Sequence, residues 1–444
     1  MTPSRRGAIA RIAACLGLAT ILSCSGARPS PAGPVPPGPI EAFVAGTDID
    51  DAASAIRDGL SSDPKNPLLL WMAGEISYLR GDMDTAMDAY AAAVISASGW
   101  DDPVGDPVAE ASLEAMLSLS KFAPGWEKRM ASLLEASMPA LHGNTDGAWF
   151  TALEAEVRAL ARAGRFEESI ELRDEGGCLV NWRAAGPFGP AEIKDFDEVH
   201  DPEIDLPWKA AYALAPGGDP RPTTGAHSWY CRTTIEPEDT YRGGTYYAAT
   251  DLSVHEAGEF VFRMSSQDTY AVMVDGATVW SVDRRTAVLP GVSLFKLRLA
   301  AGEHRMMIKI GTRDFMPTFT LLWKEASSSA PDPSGAPAIT SREHGDGLGG
   351  FASPPDPAEP VVLPPARSPV EDLLGAQVAL LHGDMVGSAR IARPMADAHP
   401  GSAPLMALLA TLEGSDPFVP WATRMNRLRA VAEAMVEAHP ESWV

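Results

Sequence analysis

The chain has 444 residues, 45% of them hydrophobic and 21% charged, a globular balance that argues against wholesale disorder. It is too long for one ordinary core, so two or three domains are expected at about 150 residues each. A formal net charge of −23 repels phosphate backbones and argues against nucleic acid as a partner.

Residues 1–23 combine Arg5, Arg6 and Arg11, an apolar run from Ile12 to Leu22 and the small Ser23, the layout of a signal peptide. The run is too short for a stable membrane span. Ile21-Leu22-Ser23-Cys24 resembles the lipobox of bacterial lipoproteins, which implies cleavage before Cys24, lipidation of its sulfur and export. Acyl chains anchor at about 0.8 kcal/mol per buried methylene, and Ser25 after the cysteine points to the outer membrane. Residues 24–39 are proline-rich and read as an extended tether. With Cys15 and Cys24 in the leader, only Cys178 and Cys231 remain in the body; export makes them a disulfide pair, and the alternative is two buried thiols.

Residues 40–175 follow the helical period. Leu69, Met72, Ala73 and Ile76, then Arg80-Gly81-Asp82, then Ala86, Tyr90, Ala93 and Val94 spell a helix, a tight turn and an antiparallel helix. Leu70, Ala73, Gly74, Gly81, Ala86, Tyr90 and Ala93 resemble the small, large and glycine positions of a tetratricopeptide repeat. Leu160 to Gly164, Phe166, Ser169 and Ile170 are similar to a later turn and second helix. The resemblance implies a solenoid that binds envelope proteins or peptides and does no chemistry; a generic helical bundle is the alternative.

Residues 178–325 change to a period of two. Short β-rich runs at Thr245–Val254, Glu259–Met264, Tyr270–Trp280, Leu294–Leu299 and His304–Ile310 predict an antiparallel sandwich, and Asp275-Gly276 predicts a type I′ hairpin turn. Ser265-Ser266-Gln267-Asp268, Val272 to Gly276 and Ala301-Gly302-Glu303-His304 resemble the protective-antigen and galactose-binding jelly rolls attached to bacterial surface proteins. That resemblance implies glycan binding or a structural spacer. Calcium-binding lectin members carry consecutive aspartates where this chain has only Asp268, so no calcium site is carried over.

Trp229, Tyr230, Tyr246, Tyr247, Tyr270 and Trp280 offer flat faces to sugar rings, although an aromatic in an alternating strand is more often core. Trp280 at a hairpin rim, Trp229 and Tyr247, with Asp268, are the candidate binding residues. Asp195, Asp197, Glu198, His200, Asp201, Glu203 and Asp205 form a dense acidic cluster that lacks the glycine and closing glutamate of a calcium loop; it reads as a solvated loop, with no metal. His304 reads as a strand-edge residue without a zinc partner.

Trp182, Gly186-Pro187-Phe188-Gly189, Asp195-Phe196-Asp197 and Trp208, with the sheet behind them, are similar to the amino-terminal half of large myxobacterial-type lipoproteins that join tetratricopeptide helices, a sandwich and a transglutaminase-like domain. No cysteine follows Cys231, so no transglutaminase activity is carried over. No nucleophile elbow, phosphate loop or dinucleotide fingerprint appears, which leaves no catalytic residue and no cofactor to assign.

Residues 326–367, rich in Pro, Gly and Ser, read as an interdomain linker. Residues 368–444 repeat the helical plan, with Gly383-Asp384-Met385 matching Gly81-Asp82-Met83. They stop where another repeat would start, so the block is expected either to be truncated or to expose an apolar end to a partner. The expected fold is multidomain α + β, with tetratricopeptide-like helical hairpins flanking a jelly-roll-like antiparallel β-sandwich. The expected function is that of a non-enzymatic, lipid-anchored envelope protein that binds proteins through its repeats. The alternatives are a polysaccharide-binding lipoprotein acting through the sandwich and the amino-terminal fragment of a transglutaminase-like enzyme.

Overall fold

A computed structural model describes residues 37–45, 48–120, 126–141, 146–189, 193–205, 208–236, 243–284, 291–313, 316–326, 338–343, 355–415 and 419–440. The signal segment, Cys24 and most of the tether lie outside the described residues.

The amino-terminal helices are α1 (Pro37–Ala45), α2 (Ile49–Ser62), α3 (Pro67–Leu79), α4 (Met83–Ala97), α5 (Gly105–Leu119), α6 (Trp126–Leu141), α7 (Gly147–Arg162) and α8 (Phe166–Glu175). Local chemistry sets their ends. The Asn66 side chain accepts from the Leu69 N–H at 3.2 Å to open α3, and Asp82 accepts from the Thr85 N–H at 3.2 Å to open α4, each satisfying an orphan donor of the first turn. Between them Gly81 takes a φ of 77°, the left-handed geometry that ends a helix at little cost only for glycine. After the one-turn α9 (Asp201–Ile204) come α10 (Pro369–Leu381), α11 (Met385–Ala398), α12 (Ala403–Ser415) and α13 (Trp421–Ala438). The α10–α11 turn repeats the device: Gly383 has a φ of 74°, and Asp384 accepts from the Gly387 N–H at 2.8 Å.

The two helical blocks are distant in sequence yet share one core. Phe43, Trp71, Tyr90, Leu113 and Phe150 belong to the same buried cluster as Val370, Leu374, Leu405 and Leu412, and α10 packs on α1 and α5. The carboxy-terminal helices therefore return to the first block.

The strands are β1 (Arg183–Phe188), β2 (Ala211–Ala213), β3 (Pro220–Pro222), β4 (Thr224–Gly225), β5 (His227–Trp229), β6 (Arg232–Thr234), β7 (Gly244–Val254), β8 (Gly258–Ser266), β9 (Thr269–Val274), β10 (Ala277–Val282), β11 (Gly291–Leu299), β12 (Gly302–Thr312), β13 (Thr318–Glu325), β14 (Ile339–Glu343) and β15 (Glu359–Pro360). One antiparallel sheet has the order β10-β9-β12-β7-β1-β4, with β14 also on β7; the other runs β15-β11-β8-β13-β6-β5. Alternate residues of both sheets, including Tyr246, Val272 and Ile308 from the first and Phe262, Phe295 and Leu321 from the second, meet in one core. Asp275 and Gly276 have φ of 52° and 81°, the two positive values that a type I′ turn needs.

The proline-rich stretch differs from a free linker. Residues 339–343 pair with the second half of β7 while β1 takes its first half, and residues 359–360 pair with β11. Both pieces cover backbone that an open edge would expose. The cover makes two linker pieces part of the sandwich.

Candidate functional site

The sequence-derived binding residues do not converge. Tyr247 is fully buried on the outer face of the seven-stranded sheet, and its hydroxyl donates to Glu203 at 2.5 Å; it offers no face to a sugar. Trp280 is half-buried and stacks on Phe295 with ring centroids 5.1 Å apart and planes at 13°, so the sandwich core already occupies one of its faces. Asp268 sits half-buried in the turn before β9, where burial pushes its carboxyl up to about 6. Trp229 alone is openly displayed, at 69% exposure. Cys178 and Cys231 form a disulfide with Cα atoms 5.2 Å apart, at the junction of helices and sheet.

Trp229 belongs to a groove between α8 and the β5–β6 hairpin. The groove has a volume of about 160 Å³ and is lined by Ala161, Phe166, Ile170, Arg173, Trp229 and Tyr230, together with two serines. Phe166 and Ile170 are 63% and 50% exposed. The repeat resemblance placed both, with Ser169, on the second helix of a later hairpin. In the structure Ser169 faces inward, donating to the Val157 carbonyl at 2.7 Å, and its small side chain seats α8 on α7 while the larger residues point out. Across the groove, Trp229 pairs with Arg232, which leaves Tyr230 and Cys231 as a two-residue turn. Tyr230 takes a φ of 57°, a conformation that costs a non-glycine residue about 1–3 kcal/mol. The disulfide fixes this turn to the chain that leaves α8.

The outer face of the six-stranded sheet docks on the helices through Val261, Leu294 and Leu322, which join the helical core, and through buried charge. Arg263 of β8 projects away from the sandwich core and donates to Glu154 of α7 at 2.9 Å, with Arg158 on the same carboxylate at 2.8 Å. Burial works to raise the Glu154 carboxyl, but Arg263 and Arg158 hold it below its ordinary value. His382, capping α10, lies 3.0 Å from Glu110 of α5, and its carbonyl accepts from Val292 of β11 at 3.0 Å. Burial pulls the imidazole down, yet Glu110 outweighs it and the His382 pKa is raised; reciprocally, Glu110 is held low against its own burial. Asp106 accepts from the Gly147 and Ala148 N–H groups at 3.1 and 3.0 Å, and burial, then Glu110, push it up to about 6. Burial also raises Glu114.

The other outer face carries a parallel arrangement. Lys309 of β12 donates to Glu203 at 2.8 Å and to the Glu198 carbonyl at 2.6 Å, and Arg305 donates to the Asp205 carbonyl at 2.8 Å. Phe188, Trp208, Tyr212 and Tyr247 pack around them. The acidic stretch expected to be a solvated loop is thus partly turned inward: Asp195 is buried and Glu203 is paired, while Asp197, Glu198 and Asp201 stay exposed. His304 is also buried, 2.6 Å from Asp275, and is no open strand edge. Among the described residues no helix is long and apolar enough to cross a membrane, and no cluster of three or more metal-ligating side chains forms.

No protein-family model matches the chain, and no curated relative is found. Among solved structures it is similar to the PA14 domain of the MpAFP antifreeze protein (17% identity, 26% of this chain and 60% of that one, TM-score 0.19). It is also similar to a β-glucosidase from Kluyveromyces marxianus in complex with glucose (12%, 35% and 18%, TM-score 0.22). A family 35 carbohydrate binding module from an environmental isolate is a third (14%, 22% and 79%, TM-score 0.15). With TM-scores this low, the likenesses carry no argument about function.

Proposed function

We propose that the protein is a non-enzymatic, lipid-anchored component of the bacterial cell envelope that holds a protein partner, with tetratricopeptide-like hairpins and a jelly-roll-like sandwich as its scaffold. The observation that carries this reading is the contiguous display of Phe166, Ile170, Trp229 and Tyr230 around one groove. Single exposed apolar residues are ordinary, whereas a cluster marks an interaction surface, and aromatic residues dominate such surfaces. The lipobox ending at Cys24 supports the anchor. The Tyr90 ring lying over Gly74, where a Cβ would stand 2.5 Å from it, supports the repeat assignment of α3 and α4.

A photo-crosslinking residue in place of Trp229 in the full chain, expressed in its own host, tests the reading. A light-dependent protein adduct in the envelope fraction is expected. If that position captures no protein while the same residue at a remote exposed site does, the reading fails.

Polysaccharide binding through the sandwich is the second reading, favoured by the open Trp229 ring. A glycan-array signal from the full chain that Trp229→Ala abolishes would establish it. Trp280→Ala, with its ring stacked inside, is expected to leave any such signal unchanged.

A further inference from the structure

The walls of the groove are largely apolar, and three of its polar side chains, Ser169, Ser228 and Arg173, already have partners within the chain. The Ser169 hydroxyl is held by the Val157 carbonyl, the Ser228 hydroxyl donates to the Val180 carbonyl at 2.8 Å and meets Thr233 at 3.0 Å, and Arg173 binds Asp174 at 2.8 Å. A sugar would bring more hydroxyls than the Tyr230 hydroxyl and the Trp229 indole N–H can meet, and unmet polar groups weaken binding. An aromatic or branched aliphatic side chain meets the rings without that cost.

The rim has a definite sign. On α8 Phe166, Ile170 and Arg173 share one row at i, i+4 and i+7, and Glu167, Glu171 and Asp174 form the adjacent row at the same spacing. All three acids are exposed. The groove is therefore a largely apolar slot in which Arg173 is neutralised by Asp174, with Glu167 and Glu171 on the next row of the helix.

We infer that the groove docks a cationic segment of a protein partner, with an apolar anchor between Phe166, Ile170 and Trp229 and lysine or arginine side chains along Glu167 and Glu171. This inference rests on the protein-binding reading above and adds the chemistry of the partner. Electrostatic complementarity of this kind selects partners and speeds encounter, and it weakens as salt rises.

The test uses the full chain and a fluorescein-labelled peptide, Lys-Lys-Leu-Trp-Lys-Lys-Leu-Trp-Lys-Lys, followed by anisotropy. Two control peptides carry glutamate for every lysine, or serine for every leucine and tryptophan. The cationic apolar peptide is expected to bind, and both controls to bind at least about tenfold more weakly, a difference of about 1.4 kcal/mol. Trp229→Ser should weaken binding of the first peptide by about tenfold or more, as loss of a central aromatic anchor does. Glu167→Lys with Glu171→Lys should weaken it and flatten its salt dependence. Unchanged urea midpoints for these exposed-site variants separate lost binding from lost folding.

Equal binding of the cationic peptide to wild type and Trp229→Ser, or equal binding of the glutamate peptide, overturns the inference. Failure of the peptide alongside a protein adduct at position 229 overturns the cationic assignment and leaves the protein-binding reading intact. Failure of both removes both.

Discussion

The two outer faces of the sandwich solve one problem with different partners. Each sheet projects a cation outward, Arg263 from β8 and Lys309 from β12, and each cation is buried under a cover that brings a carboxylate: Glu154 of α7 for the first and Glu203 of α9 for the second. On the seven-stranded side the cover is a neighbouring segment of the same domain, and backbone carbonyls of Glu198 and Asp205 share the load. On the six-stranded side the cover is the helical body, and ionisable side chains share the contact with Val261, Leu294 and Leu322, which join the helical core. A buried pair gives direction and register more than net stability. The helix–sheet docking, where Asp106, Glu110, Glu154 and His382 all titrate away from their ordinary values, should therefore be the more sensitive of the two faces to its surroundings.

The largest expected effect is at Arg263. Arg263→Ala leaves Glu154 buried with Arg158 as its remaining partner, and should cost about 3–5 kcal/mol in urea unfolding. Replacing both partners, Arg263→Leu with Glu154→Leu, should recover most of that loss, because two apolar groups of similar size need no compensation. A double variant as unstable as the single one would show that the pair itself, and not the uncompensated charge, holds the faces together. Next in size is the disulfide, which lies on the same side of the sandwich. Cys178→Ser with Cys231→Ser should lower stability by about 2–4 kcal/mol, and proteolysis should then begin near the β5–β6 turn. Lys309→Met should cost less, about 1–3 kcal/mol, because methionine refills the volume of the lysine stem, as alanine at 263 does not for arginine, and Glu203 keeps the Tyr247 hydroxyl as a donor. If Lys309→Met proves more damaging than Arg263→Ala, the ranking of the two faces is reversed.

Much of this architecture is legible in the sequence, and the illegible part has a common cause. Helical spacing marks α3 and α4, the two Gly-Asp-Met stretches mark their turn and its counterpart, and Asp275-Gly276 marks a hairpin, because these signals are local. Alternation cannot say whether the outward face of a strand meets water. Tyr246 and Tyr247 point to opposite faces and both are buried, one in the sandwich core and one under the cover. Arg263 and Lys309 look like solvent-facing residues of amphipathic strands until distant segments are laid over them. Phe166 and Ile170 fail in the opposite sense: their i, i+4 spacing promises a core, but Ser169 is the residue that α7 accommodates. The candidate site was reached only through Trp229, since Phe166 and Ile170 gather beside it by tertiary placement. Residues 339–343 and 359–360 pass for linker because strand pairing at an edge needs backbone more than side-chain pattern.

The smallest predicted effect is the one that separates the faces most cleanly, because it is a dependence on pH. His382 has its pKa raised above the ordinary 6.5, so its contribution is complete below 6.5 and is lost as pH rises through the raised value. Asp106, pushed from 3.8 to about 6, acts in the same sense at lower pH, since its ionised form is disfavoured in the folded junction. Glu110 and Glu154 are held below 4.5, so their contributions are lost as pH falls below that value. Arg263 and Arg158 stay charged throughout. The docking should be firmest in the mildly acidic range and should weaken toward alkaline pH. His304, raised by its hydrogen bond to Asp275, adds the same sign from within the sandwich, so the informative quantity is a difference between proteins. His382→Gln keeps a donor for Glu110 and removes the titration; its urea midpoint should fall below that of the wild type at pH 6 and change less between pH 6 and 8.5. Parallel pH profiles for the two proteins would place the dependence in the sandwich and take the charge-sensitive character away from the helix–sheet face.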